Sequence, residues 1–312
     1  MPESQTSHFV ACVGDAFVDT VTHIPEFPKS GEGVWGTPVK LFGGGCGANV
    51  ASGIAKAGLK VGFFGRVGDD ENGNFLIKDF LARGVDTSGV VRDPKVPSGV
   101  VFILVEPNGE RTIIPCALGA AYTRVQEADL APLILNPPEA VYLTGVLLGE
   151  DPSHSSLIGL AKSLKGKSRT YFDPNLRHPS WNIPPRILSG MQELARLCDV
   201  VLTGESEMLS LDLEPQEGQI YVVKRGARGA RLQTINGIQT EVLAHQVKVV
   251  DATGAGDTFD AAYITAALRG YSEYDSLAIA NVAGGLSVTI EGARAMPDWA
   301  EVIDLWQKTE RK

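Results

Sequence analysis

The chain has 312 residues, 44% of them apolar and 21% charged, with no low-complexity tract, which suits one large α/β unit with a substantial buried core. Its formal charge of −9, without a Lys/Arg run or interleaved aromatics, argues against a nucleic-acid surface, whose affinity depends on neutralising phosphates. Four widely spaced cysteines, five histidines without ligand spacing and the lack of a long apolar stretch argue equally against a disulfide framework, a structural zinc site and a membrane span.

Met1 to His8 is polar, with neither the basic nor the apolar region of a signal peptide, so a cytoplasmic protein is expected. Phe9 to Val13 predicts a buried strand with Gly14-Asp15 at its carboxyl end, where ligands collect in open α/β sheets. Trp35, Thr37, Val39 and Leu41 predict an alternating strand. Asn49 to Ala57 predicts a helix stopped by Gly58, Lys60 to Gly65 a strand, and Asn72 to Arg83 a helix stopped by Gly84. Gly99 to Glu106 and Arg111 to Pro115, joined through Asn108-Gly109, predict a hairpin. Ala140 to Thr144, Thr170 to Asp173, Val200 to Thr203 and Ile220 to Lys224 restore the βαβ rhythm, and Pro297 to Glu301 predicts a capping box opening the last helix.

The expected fold is therefore α/β, a doubly wound and mostly parallel sheet flanked by helices, with a small inserted β-sheet as a lid. Residues 1–19, 43–97 and 116–312 form the expected main domain, and 20–42 and 98–115 the lid. Trp35, Val39, Leu41, Val101 and Ile103 lie on lid strands apolar on both faces, so a homodimer packed lid to lid is expected.

Val249-Val250-Asp251-Ala252-Thr253-Gly254-Ala255-Gly256-Asp257 is the most informative segment: a strand, a turn with almost no side chains, then a helix running to Leu268 and Gly270. Backbone N–H groups of Gly254, Ala255 and Gly256 converging at a helix N-terminus make an anion cradle. Asp257 stands at its mouth, where the amide dipoles favour an ionised carboxylate able to accept a proton from a hydroxyl. An aspartate that merely caps a helix is the plainer alternative. Upstream, Gly43-Gly44-Gly45-Cys46-Gly47-Ala48-Asn49 forms a glycine turn into a helix, with Asn49 able to donate to and accept from a polyol. Gly43, Gly45 and Ala48 also fit the loose dinucleotide pattern, so an oxidoreductase is a rival, but the next strand ends without an acidic residue. No G-x-x-x-x-G-K-[ST] occurs, which excludes a P-loop enzyme.

Gly44-Gly45-Cys46-Gly47-Ala48-Asn49 and Asp251-Ala252-Thr253-Gly254-Ala255-Gly256-Asp257 together resemble the two signatures of the ribokinase-like, or PfkB, carbohydrate kinases, and the resemblance runs from about Phe9 to Pro297. It implies an ATP-dependent phosphotransferase with Asp257 as base and the Gly254, Ala255 and Gly256 amides around the migrating phosphoryl group. It implies that Asp15, Asp19, Gly44, Gly45 and Asn49 bind a sugar or nucleoside. For ATP and Mg2+ it implies Asn175 and Arg177 in Asp173-Pro174-Asn175-Leu176-Arg177, together with Glu207, Lys224, Gly226, Gly229 and Asn281. Asp251 and Thr253 match a site for a monovalent cation such as K+. Two departures stand out: Gly204 replaces the Asn of the family's N-x-x-E motif, and Cys46 replaces the lysine of true ribokinases. Gly14-Asp15-Ala16-Phe17-Val18-Asp19 is closer to the fructokinase and aminoimidazole-riboside kinase form, so ribose is not the default acceptor. A catalytically silent sugar sensor is a further alternative, opposed by the intact Asp257 turn.

Overall fold

The computed structural model describes residues 9–178, 182–290 and 292–310, so the polar Met1–His8 segment lies outside the described residues. In chain order the strands are β1 (Phe9–Val13), β2 (Phe17–His23), β3 (Lys40–Gly44), β4 (Lys60–Gly68), β5 (Asp86–Asp93), β6 (Gly99–Val105), β7 (Arg111–Cys116), β8 (Ala140–Thr144), β9 (Arg169–Asp173), β10 (Val200–Gly204), β11 (Ile220–Lys224), β12 (Ala230–Thr234) and β13 (Gly237–Val242). The helices are α1 (Cys46–Lys56), α2 (Glu71–Ala82), α3 (Glu127–Leu135), α4 (Ser153–Leu164), α5 (Pro185–Leu197), α6 (Glu205–Ser210), α7 (Ala255–Leu268), α8 (Glu273–Ser287) and α9 (Trp299–Glu310).

Nine strands form one sheet in the order β13-β12-β11-β10-β9-β8-β1-β4-β5, parallel except at the β11–β12 and β12–β13 pairs. Its short apolar strands are buried on both faces, and their period of two divides them between two cores. Val10, Cys12, Ala140 and Tyr142 pack with Ile54 of α1, Ala262 of α7 and Leu277 of α8. Ala11, Val13, Val141 and Leu143 pack with Leu130 of α3, Leu160 of α4 and Leu194 of α5. The chain leaves β1 toward β4 and β5 on one side and returns through β8 on the other, so the order reverses at β1, and in open α/β sheets the carboxyl ends of the strands at such a point form the ligand crevice.

The other four strands make a separate small sheet, β3-β2-β6-β7. Its register sets its faces. Phe42, Asp19, Val101 and Pro115 lie in one cross-strand row, and Leu41, Thr20, Phe102 and Ile114 in the next, pointing the opposite way. Val101, Ile103 and Val105 are buried against Phe17 and Val21, so two residues expected at the dimer face belong instead to the sheet's own core. The exposed apolar row on the far face is Leu41, Phe102 and Ile114.

Two expected strands are shorter or absent. The ladder holding β3 begins only at Lys40, with Trp35 and Val39 in an exposed loop, because Pro38 has no N–H to continue it. Val249 and Val250 are exposed in irregular chain. Helix α1 begins at Cys46, three residues earlier than predicted, so the second half of the glycine segment is helix rather than loop.

Candidate active site

Helix α7 starts on Gly254, whose left-handed backbone (φ 73°) suits glycine, and a Cβ there would lie 2.0 Å from the Ala293 carbonyl. The first-turn N–H groups of a helix have no partner within it and face outward; the Ala255 N–H makes a long bond of 3.3 Å to Ala252 O, and the Thr258 N–H closes the first helical turn on Gly254 O at 2.8 Å. Asp257 is buried in this turn and accepts from Asn49 Nδ2 at 2.8 Å. Burial pushes its carboxyl up to about 6, against the pull of Asn49, Arg177 and Lys224. The expectation that amide dipoles dominate its titration is thus corrected: desolvation wins, and the group is a stronger base than an exposed aspartate.

Asn49 is the first-turn residue of α1 that meets α7. The glycines before it are required by protein neighbours. A Cβ on Gly44 would lie 2.3 Å from Asp19 Oδ2, one on Gly43 would lie 2.5 Å from Arg294 Nη1, and one on Gly47 would lie 2.7 Å from Gly14 Cα. Gly45 (φ 98°) turns the chain directly beneath the Asp15 carbonyl. Asp15 is fully buried, and its two oxygens accept from the Cys46 and Gly47 N–H groups at 3.0 and 3.2 Å, so this carboxylate closes the amino end of α1. Asp19 lies on the inner face of the small sheet, and burial with the negative charges of Asp15 and Asp257 raises it to about 6, while Arg294 opposes the shift.

Arg294 escaped the sequence reasoning. Its side chain is 4% exposed; Nε donates to Asn49 Oδ1 at 3.0 Å, Nη2 to Gly44 O at 3.2 Å and Nη1 to Asp79. It orients Asn49 so that the Nδ2 end faces Asp257. Nothing in Glu291-Gly292-Ala293-Arg294 marks this role, because all three partners belong to elements distant in the chain. Arg177 approaches from the other side, with Nη2 against Cys46 Sγ.

At the other end of the crevice, Asp173 and Lys224 end adjacent regions of the sheet. Lys224 Nζ reaches Asp173 Oδ2 at 2.5 Å and Asp260 Oδ1 at 2.9 Å, and a Cβ on Gly256 would lie 3.6 Å from that nitrogen. Asp260 stands one turn beyond Asp257 on α7, a spacing that could have flagged it. Burial and the charge of Asp173 raise it well above the carboxylate range, and its Oδ2 has no hydrogen-bond partner. Asn175 (φ 43°) accepts from Thr144 Oγ1 at 2.8 Å and Tyr142 OH at 3.2 Å. Glu207 accepts from the Gly204 and Leu176 N–H groups, both at 2.8 Å, and is raised by burial. Gly226 and Gly229 form the tight turn after β11, closed by Arg225 N–H to Gly229 O at 2.8 Å. Asn281 on α8 donates to Leu243 O at 2.8 Å, tying down the exposed chain that follows β13.

Asp251 and Thr253 are engaged by the protein itself. Arg111 Nη1, from β7, donates to Asp251 Oδ1 and Thr253 Oγ1, each at 2.5 Å. Among the described residues no group of three or more His, Cys, Asp or Glu is arranged to hold a metal ion, and no helix is long and apolar enough to cross a membrane.

A pfkB family carbohydrate kinase model matches residues 7–300. A sugar kinase of Pyrococcus horikoshii is 31% identical over 275 residues, covering 85% of this chain and 87% of its own. A fructokinase of Vibrio alginolyticus is 28% identical over 311 residues, covering 93% and 96%. The solved P. horikoshii sugar kinase in complex with ATP superposes with a TM-score of 0.83 at 27% identity, covering 95% of this chain and 97% of that one. A ribokinase II of E. coli in complex with ATP and Mg2+ gives 0.84 at 25%, covering 97% and 99%.

Proposed function

The chain belongs to the pfkB family of carbohydrate kinases and is an ATP-dependent carbohydrate kinase, and from that premise we propose that Asp257 is its general base and the Gly254–Gly256 turn its phosphate cradle. The observation that carries this is the buried Asn49–Asp257 hydrogen bond at the amino end of α7, which ties the sugar-side glycine segment to the proposed phosphate turn. The rival dinucleotide oxidoreductase is set aside by the family match.

In this mechanism a sugar hydroxyl lies beside Asp257, with Asp19 and Asn49 holding neighbouring hydroxyls. Asp257 accepts the proton as the oxygen attacks the γ-phosphorus, and the ADP oxygen leaves on the opposite side. Free first-turn amides of α7 face the charge on the transferring group, and the dipole of the helix supports it. The corner at Glu207, whose carboxylate accepts the Gly204 and Leu176 amides, suits a nucleotide-borne magnesium ion, which would keep most of its water and supply positive charge at the phosphates. Lys224, held by Asp173 and Asp260, adds a fixed positive charge beneath Gly256. The small sheet, residues 20–42 and 98–115 together with its share of β2 and β3, serves as the lid that excludes water, a competing acceptor for ATP.

The fructokinase relatives put fructose first among acceptors to try. A panel of fructose, ribose, 5-dehydro-2-deoxygluconate and nucleosides with ATP and Mg2+, followed by ADP release, tests the proposal. ADP release that no acceptor stimulates would refute it.

A further inference from the structure

We infer that the Arg111 guanidinium takes the place of a monovalent cation beside the phosphate turn, so that this kinase turns over without potassium. The inference rests on the Gly254–Gly256 turn being the phosphate cradle.

Arg111 opens β7 opposite Val105, a residue of the small sheet's buried core. From there it spans to the turn that precedes α7 and donates to Asp251 Oδ1 and Thr253 Oγ1 at 2.5 Å each. The remaining capacity of the carboxylate is also engaged: Oδ1 accepts from Thr253 N–H at 2.8 Å and Oδ2 from Gly292 N–H at 2.8 Å. The Asp251 side chain is 3% exposed, and the guanidinium with these two amides engages both of its oxygens. A diffusible cation at this corner would need the same side-chain oxygens and would meet a positive charge already on them. The residues therefore do not fit an added monovalent cation.

What such a cation would contribute, one positive charge beside a turn that holds an anion, Arg111 already supplies. A guanidinium stays protonated throughout the working range, and its rigid fork fixes the donor direction. Its two acceptors lie three residues and one residue before Gly254, so the contact also sets the path of the turn. Because Arg111 belongs to the small sheet, the same contact ties that sheet to the phosphate site.

The test uses the full-length enzyme in potassium chloride and in tetramethylammonium chloride at equal ionic strength, with turnover and melting temperature measured in both. Wild type should change by less than about twofold in turnover between salts and melt at the same temperature. Arg111→Ala should lose about 10- to 100-fold in tetramethylammonium, regain most of it in potassium, and melt higher in potassium alone. Arg111→Lys, which keeps the charge but loses the fork, should stay insensitive to potassium. A wild type that potassium activates severalfold or stabilises overturns the inference, as does an Arg111→Ala protein that potassium neither rescues nor stabilises. The melting arm reads cation binding without turnover, so it stands even if the catalytic proposal fails.

Discussion

Asn49 Nδ2 donates to Asp257 Oδ2 at 2.8 Å across 208 residues of chain, joining the first turns of α1 and α7. The bond aims the carboxylate while burial makes it basic. Asp257→Asn keeps the shape and removes the base, so kcat should fall by about 10²–10⁴-fold with ATP and sugar Kd values little changed. An aspartate that only caps its helix predicts near-normal turnover, since Asn caps as well.

The same residue predicts two pH effects. Only the ionised form accepts a proton, so wild-type kcat/KM should rise with pH up to about 6 and then level off. For stability the sign is opposite: a carboxyl raised above its ordinary value favours the folded state when protonated, and this contribution is lost as pH rises from the unfolded value through about 6. Asp257→Asn should therefore be more stable at pH 7 by on the order of 1–3 kcal/mol, read from thermal melts. A destabilised variant would contradict the assignment of burial as the dominant cause.

Arg294→Met should leave a folded protein, because Asp79 keeps its pair with Arg83 at 3.0 Å. It should lower kcat by roughly tenfold through a misaligned Asn49 and move the acid limb of the pH profile upward, since a positive charge beside Asp19 and Asp257 is gone. An unchanged limb would make Arg294 a structural residue only.

Asp19 lies on the small sheet, on the proposed sugar side of the site. Asp19→Ala should raise the sugar KM by about tenfold or more while ATP affinity stays near normal. Loss of ATP affinity with sugar affinity intact would reverse this end of the site.

Gly204 caps α6 with extended backbone (φ −75°, ψ 148°), a conformation that Asn adopts readily. Its Cβ would lie 3.1 Å from Glu207 Oε2, so the carboxylate must yield slightly. Gly204→Asn should lower the magnesium concentration needed for half-maximal rate by about two- to tenfold. No change would show that another group already orients the ion's water.

Leu41, Phe102 and Ile114 form an exposed apolar row on the outer face of the small sheet. Wild type should be a dimer by light scattering, and Phe102→Glu should be a monomer. A monodisperse wild-type monomer at micromolar concentration would sink this expectation.

The strand rhythm from Phe9 onward, the Asn108-Gly109 hairpin and both glycine segments were legible in the sequence because each is local: a glycine turn at a helix N-terminus is built from contiguous backbone, and Asp257 follows in the same turn. The small sheet was legible in part. β6 and β7 matched their prediction, but Pro38 shortened β3, and β2 went unpredicted because its alternation of Val18, Thr20 and Thr22 with Asp19 and Val21 carries little apolar contrast.

What only the tertiary structure decided is which distant groups meet. Arg294 reaches Asn49 across 245 residues and Arg111 reaches Asp251 across 140, through an order of strands that no local pattern encodes. The charge state of Asp257 was likewise beyond the sequence. Its local turn argues for a low value, and its burial between α1 and α7 imposes a high one, because desolvation depends on everything packed around a carboxylate rather than on its neighbours in the chain.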